Sequence, residues 1–305
     1  MEIKEDYHLP VLLAECIEGL NINPSGVYVD LTFGGGGHSK AILNALGEKG
    51  KLFSFDQDTD AKKNANLLND DRFCFVETNF RNVKKYLRLH GIKQVDGILA
   101  DLGISSFQID EPTRGFSIRF DGELDMRMNQ AASFSAKNLI NEYSASELQR
   151  VFGQYGEVHN AKTLAEGIVQ NRMNNPINTT AQLKDIIEKY APKFREFKYF
   201  AQVFQAIRIE VNQELLVIEE MLEQIKDILK PDGRLCVISF HSLEDRLVKN
   251  YIKKGKFHGE VEKDLFGNEI KPLKSITKKP IEATEEETKQ NPRARSAKLR
   301  IATLN

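Results

Sequence analysis

The sequence predicts an α/β fold, a mostly parallel sheet built from two stretches of chain with an all-helical insertion between them. Three observations carry this. Apolar runs of strand length at 27–33, 51–55, 73–76 and 97–102 alternate with helix-forming stretches, the pattern of parallel strands joined by crossover helices. About ninety residues after Asp101 then contain no good strand and show helical periodicity instead. The strand pattern returns at 234–240.

The first strand ends in Asp30 and runs into Leu31-Thr-Phe-Gly-Gly-Gly-Gly-His38, where four successive residues lack a Cβ. So bare a backbone can approach a ligand closely. Helix-forming residues follow at 39–46, which makes strand, glycine loop and helix, the opening unit of a nucleotide-binding sheet. Asp56 ends the second strand about twenty residues beyond the glycines, where a carboxylate in such folds accepts hydrogen bonds from ribose hydroxyls. No Gly-Lys-Ser/Thr follows the loop, so the phosphate-gripping lysine and magnesium-binding hydroxyl of a P-loop are missing.

After the fourth strand, Ser144-x-x-Glu147 is a capping box, and Leu183, Ile186, Ile187 and Tyr190 share one helical face. Val211, Leu215, Ile218, Leu222, Ile225 and Leu229 then predict a helix that Pro231-Asp-Gly233 stops. The strand at 234–240, a helix from 242 to about 254, a lysine-rich irregular segment and a last strand at 297–303 complete the chain. The sheet domain is expected over 1–106 and 209–305, with the helical subdomain at 107–208.

With 305 residues and 41% hydrophobic content the chain can bury a large core. No apolar run approaches a membrane span and Met1-Glu-Ile-Lys-Glu-Asp6 carries no apolar signal region, so a cytoplasmic, membrane-free protein is expected. Cys16, Cys74 and Cys236 are far apart in apolar surroundings, which suits buried side chains and neither disulfide nor zinc spacing. The net charge of −1 does not announce a nucleic-acid binder. Its distribution says more, because Arg293, Arg295, Lys298 and Arg300 come with no acid among them, and a local basic face can hold phosphates on a neutral chain.

Ligands of open parallel sheets bind beyond the carboxyl ends of the strands, which here carry Asp30, Asp56, Asp101 and Ser239-Phe-His241. A Ser/His/Asp hydrolase centre at 240–246 is disfavoured. Ser242-x-x-Asp245 is first a helix cap, and no Gly-x-Ser-x-Gly elbow exists in the chain. The residues themselves leave open a methyl-transferring enzyme, a nicotinamide-dependent oxidoreductase and a non-catalytic RNA-binding module.

The whole chain resembles the bacterial small-subunit (16S) ribosomal RNA cytosine-N4 methyltransferases, which use S-adenosylmethionine. The matching segments are His8-Leu-Pro-Val-Leu-Leu13, Asp30-Leu-Thr-Phe-Gly-Gly-Gly-Gly-His-Ser39, Asp101-Leu-Gly-Ile-Ser-Ser-Phe-Gln108, Arg114-Gly-Phe116 with Leu124-Asp-Met-Arg-Met128, Phe204-Gln-Ala-Ile-Arg-Ile-Glu-Val-Asn212, Ile238-Ser-Phe-His-Ser-Leu-Glu-Asp-Arg246, and Asn291-Pro292 with Arg295-Ser-Ala-Lys-Leu-Arg300. The resemblance implies a class I methyltransferase (Rossmann-like) sheet with a helical insertion for RNA recognition. It also implies that Gly36, Gly37 and His38 hold the methionine part of the cofactor, Asp56 its ribose and Phe80 its adenine. Asp101 and Gln108 then make the contacts near the sulfonium. Gly35 departs from the family, where a larger residue, commonly arginine, often stands. The implied partner is small-subunit ribosomal RNA in an assembled or nearly assembled subunit, with a homodimer left open.

Cytosine's exocyclic amine is a poor nucleophile, because its lone pair is delocalised into the ring, so it must be positioned and relieved of a proton. Asp101 is expected to orient the amine and His241 to help hold the base. No Asp/Asn-Pro-Pro-Tyr segment is present, so Phe107, Phe116 and Phe120 are the candidate stacking rings. Arg114, Arg119, Arg127, Arg293, Arg295 and Lys298 are the candidate phosphate contacts.

Overall fold

The computed structural model describes residues 10–305; residues 1–9, which include the expectations placed on Met1–Asp6, His8 and Leu9, lie outside the described residues. By their contacts the residues form two compact units, one holding the chain up to Gly103 together with Leu215–Asn305, the other Ile104–Glu214.

The first unit begins with α1 (Leu13–Leu20), β1 (Val27–Asp30), α2 (Gly37–Ala45), β2 (Lys51–Asp56), α3 (Thr59–Ala65), β3 (Phe73–Glu77), α4 (Val83–Leu89) and β4 (Val95–Asp101). The second is helical, with α5 (Ser106–Asp110), α6 (Ala136–Glu142), α7 (Ala145–Gly156), α8 (Ala161–Asn174), α9 (Thr180–Ile187) and α10 (Glu196–Asn212). The chain then continues with α11 (Glu214–Ile228), β5 (Leu229–Ser239), α12 (Ser242–Lys254), β6 (Leu273–Ser275), β7 (Ile281–Glu282), α13 (Glu285–Gln290) and β8 (Lys298–Leu304).

The sheet runs β3-β2-β1-β4-β5-β8-β6, with β7 also pairing β8. β1 to β5 are parallel, and β8 is antiparallel to β5, β6 and β7. Side chains alternate between faces along each strand. Val29, Phe53, Phe55, Ile98, Ala100, Leu235 and Val237 enter one core with α4, α11 and α12, while Tyr28, Leu52, Leu99, Cys236 and Ile238 enter the other with α1 and α2. Both faces are thus covered, and the polar groups collect at the strand ends.

In the helical unit α6 to α10 close around Leu139, Phe152, Leu164, Leu183 and Val203. Among the described residues its only bridge is Glu123 with Thr179. Ser144 and Glu147 form the expected capping box of α7.

Three local readings are corrected. The helix expected from Val211 to Leu229 is broken, since Gln213 takes a left-handed φ of 53° between α10 and α11, and Leu229 already pairs with Val95. The segment after α12 is not wholly irregular, because Leu273–Ser275 and Ile281–Glu282 add to β8. The cap of α12 sits one residue early. His241 is the N-cap, with Glu244 completing the box, and Asp245 instead holds the Arg300 guanidinium through contacts of 2.7 and 3.0 Å.

Candidate active site

The ends of β1, β2, β4 and β5 lie side by side, so the sheet brings Asp30, Asp56, Asp101 and His241 to one rim. Their surroundings differ sharply. Asp30 is fully buried and its oxygens are occupied: Thr32 N–H donates to Oδ1 at 3.1 Å and Ser39 Oγ to Oδ2 at 2.6 Å, with Ser54 Oγ 2.7 Å beyond. Asp56 accepts from the amide of Gly34 at 2.8 Å and from that of Asp58 at 2.9 Å, so it clamps the glycine loop to β2. Burial pushes its carboxyl up to about 6 against the pull of those two amides.

The glycines divide by what surrounds them. A Cβ on Gly36, whose φ is 78°, would lie 2.7 Å from the Phe33 ring, and one on Gly37 would overlap the Pro10 ring. Both are bare for internal packing. A Cβ on Gly35 would meet nothing within 4 Å, so this position faces open space. Gly36 offers no side-chain cap to α2, which leaves the leading amides of that helix suited to a ligand carboxylate.

His38, at the first turn of α2, is buried and bridges two parts of the rim. Its Nε2 lies 3.1 Å from the Val11 carbonyl, which can only accept, so Nε2 carries a proton. Its Nδ1 lies 3.8 Å from Asp101 Oδ2. Asp101 itself donates its backbone N–H to Thr32 Oγ1 at 2.6 Å, yet its Oδ1 is enclosed without a hydrogen-bond partner among the described residues. Burial pushes the Asp101 carboxyl up to about 6, the His38 ring opposing and the charges of Asp30 and Glu244 adding. A buried carboxylate oxygen left without a donor is expensive.

His241 spends its Nδ1 on the cap, accepting from the Glu244 amide at 3.4 Å, and the Glu244 carboxylate in turn accepts from Phe240 N–H at 2.8 Å. The neutral ring therefore carries its proton on Nε2, which is enclosed and lies 3.2 Å from Glu244 Oε1 without hydrogen-bond alignment. Phe80 opens a short 3-10 turn after β3, half-buried, beside an Asn79 whose amide reaches Gln57 at 2.9 Å. Gln108 belongs to the helical unit, where it is buried and its Oε1 accepts from Ser105 N–H at 3.0 Å in a capping box. Thr32 and Glu244 escaped the sequence reading; a hydroxyl two residues after a strand-end acid, and an acid three after His241, were the available signals.

The chain matches the family model described as the MraW methylase family over residues 5–305. The chain belongs to the MraW methylase family. The methylase is 58% identical to a "Ribosomal RNA small subunit methyltransferase H" of Cytophaga hutchinsonii, over 97% of this chain and 99% of that one. A protein of the same name from Flavobacterium johnsoniae is also 58% identical, over 97% of each chain. One from Bacteroides thetaiotaomicron is 51% identical, again over 97% of each.

Some expected phosphate contacts of this methylase are corrected by its folding. Arg114 is buried and donates to the carbonyls of Arg127 and Met128 at 2.9 and 3.3 Å. Arg127 is locked on Asp125 by two contacts of 2.7 Å. Both hold the 114–132 loop together, while Arg119 and Arg295 are exposed. Of the candidate rings, Phe116 is core, whereas Phe107 and Phe120 are 50% and 47% exposed.

Proposed function

We propose that the chain transfers a methyl group from S-adenosylmethionine to the exocyclic N4 amine of a cytidine in the decoding region of small-subunit ribosomal RNA. The substrate is the RNA within an assembled or nearly assembled subunit in the cytoplasm. Family membership and the relatives' names supply the reaction class, and the Asp101 carboxylate at the end of β4, 25% exposed and 3.8 Å from His38 Nδ1, is the observation that carries the site. The strand order with antiparallel β8 between β5 and β6 supports a class I methyltransferase sheet, and the helical unit is the RNA-recognition subdomain.

The rim fits the cofactor: several carboxylates suit a cation, Gly35 opens onto free space, and α2 presents uncapped amides. When bound, S-adenosylmethionine supplies an electrophilic methyl group on a sulfonium. Gly36, Gly37 and His38 hold its methionine end, Gly37 and His38 through the leading amides of α2, with Asp56 at its ribose, Phe80 at its adenine and Asp101 near its sulfonium.

The chain's own task is to orient the amine and take its proton. The Asp101 carboxylate, whose side chain is 25% exposed, accepts a hydrogen bond from the amine, which fixes the lone pair in direction, and the ionised carboxyl, weakened as an acid by burial, holds the proton released on transfer. His241 helps hold the base, and Thr32 and His38 keep Asp101 in place. A nicotinamide reading lacks a second mononucleotide-binding half.

The test is transfer of labelled methyl from the cofactor into free small-subunit RNA and into small subunits, with the product nucleotide mapped. Asp101→Asn, folded and still binding S-adenosylhomocysteine, is expected to lose transfer by about 10²–10⁴-fold. Wild-type protein that methylates neither substrate sinks the proposal.

A further inference from the structure

We infer that the entry into α10, Pro192-Lys-Phe-Arg-Glu-Phe-Lys198, which spans the preceding turn and the first three residues of the helix, is a stacking platform for single-stranded RNA, reached through Phe194 and Phe197. This rests on the RNA-methylating reading and names a surface that reading leaves open. Large apolar side chains seldom stand in water, yet Phe194 is 96% and Phe197 77% exposed. Phe194 also holds a left-handed φ of 64°, a conformation costly for a bulky side chain and kept only where the surroundings impose it.

The surroundings do impose it. Glu196 Oε1 accepts from the Phe194 amide at 3.0 Å, and the Arg195 amide donates to the Pro192 carbonyl at 3.1 Å. Phe197 is braced edge-to-face on the buried Phe200, ring centroids 6.4 Å apart. The Phe197 ring and the backbone that carries Phe194 are therefore held in place, which lowers the ordering cost of binding.

Charge chooses the occupant. Lys193, Arg195 and Lys198 alternate with the two rings, are exposed, and form no ion pair among the described residues, while the one acid of the turn is engaged with a backbone amide. Aromatic faces framed by cations match a strand of stacked bases with phosphates between them. An apolar protein surface would complement the rings but not the cations.

The experiment titrates full-length protein with a labelled single-stranded fragment of small-subunit RNA, and with purified small subunits, by fluorescence anisotropy across salt. Phe194→Ala with Phe197→Ala is expected to weaken binding of both by at least about tenfold while S-adenosylhomocysteine binding is unchanged. Tyrosine at both positions restores affinity and leucine does not. Replacing Lys193, Arg195 and Lys198 by Gln lowers the salt slope by roughly 0.7 for each phosphate no longer neutralised.

Three results overturn the inference: alanine variants that bind as wild type, leucine rescuing as well as tyrosine, or a loss seen with subunits alone and not with RNA. Each is read against a wild type that methylates RNA. A wild type that neither binds nor methylates it refutes the functional reading instead.

Discussion

The ends of β1 and β2 and the ends of β4 and β5 carry the same kinds of residue in opposite conditions. At β1, Asp30 is buried and satisfied by Thr32 and Ser39, and at β2 each Asp56 oxygen accepts one backbone amide and keeps a lone pair free of it. At β4, Asp101 has an enclosed oxygen with no donor, and after β5 the His241 Nε2 is enclosed and misaligned. The first pair of ends is a finished scaffold that sets the glycine loop. The second is a polar network whose enclosed atoms lack aligned hydrogen-bond partners among the described residues.

Asp101→Asn sharpens the contrast most, because it should cost about 10²–10⁴-fold in methyl transfer and yet stabilise the protein. The folded-state carboxyl sits at about 6, above the ordinary 3.8. A raised acid favours the folded state below its unfolded value, and that stability is lost as pH rises through the folded one. At pH 7 the ionised group is a burden of about 1–3 kcal/mol, which asparagine removes. Chemical denaturation should show the variant more stable at pH 7 and level with wild type near pH 4. A variant less stable at pH 7 would place Asp101 in the scaffold.

Much of this was legible beforehand, and the failures have a common cause. Apolar runs and strand-end acids are local signals, so β1 to β5 and their carboxylates could be placed from sequence. What an acid or arginine finally touches is decided by tertiary packing. Arg114 and Arg127 looked like phosphate contacts because sequence shows their charge but not the carbonyls of residues 127, 128 and 132 that they bind. Leu273–Ser275 and Ile281–Glu282 were invisible because strands of three and two residues have no periodicity and exist only by pairing with β8. The α12 cap was misplaced because Ser242-x-x-Asp245 and His241-x-x-Glu244 overlap, and Arg300, over fifty residues away, claims Asp245.

Asp30→Ala tests the finished side. Removing it leaves the buried Ser39 hydroxyl and the Thr32 amide short of an acceptor, so a loss of about 2–4 kcal/mol is expected in urea unfolding. A loss below about 0.5 kcal/mol would end the claim that this end is scaffold. Gly36→Ala should follow at about 1–3 kcal/mol, from its φ of 78° and the Phe33 ring, whereas Gly35→Ala should leave stability nearly unchanged, since no atom lies within 4 Å. Equal losses at both glycines would break the distinction between packed and open positions.

The smallest effect separates Asp56 from Asp101, whose carboxyls both sit at about 6. S-adenosylmethionine carries a sulfonium charge and S-adenosylhomocysteine does not, but they share a ribose. Ionisation of Asp56 should therefore change the affinity of both ligands alike, while ionisation of Asp101 favours the cation alone. As pH rises from about 5 to 7, calorimetry should show the preference for S-adenosylmethionine growing by roughly threefold to tenfold, the size of a partly screened charge pair. In Asp101→Asn the ratio should be flat, and in Asp56→Asn its rise should persist on weaker binding of both ligands. A ratio that is already flat in wild type would mean that the Asp101 carboxylate does not sense the sulfonium, leaving the substrate amine as its only partner.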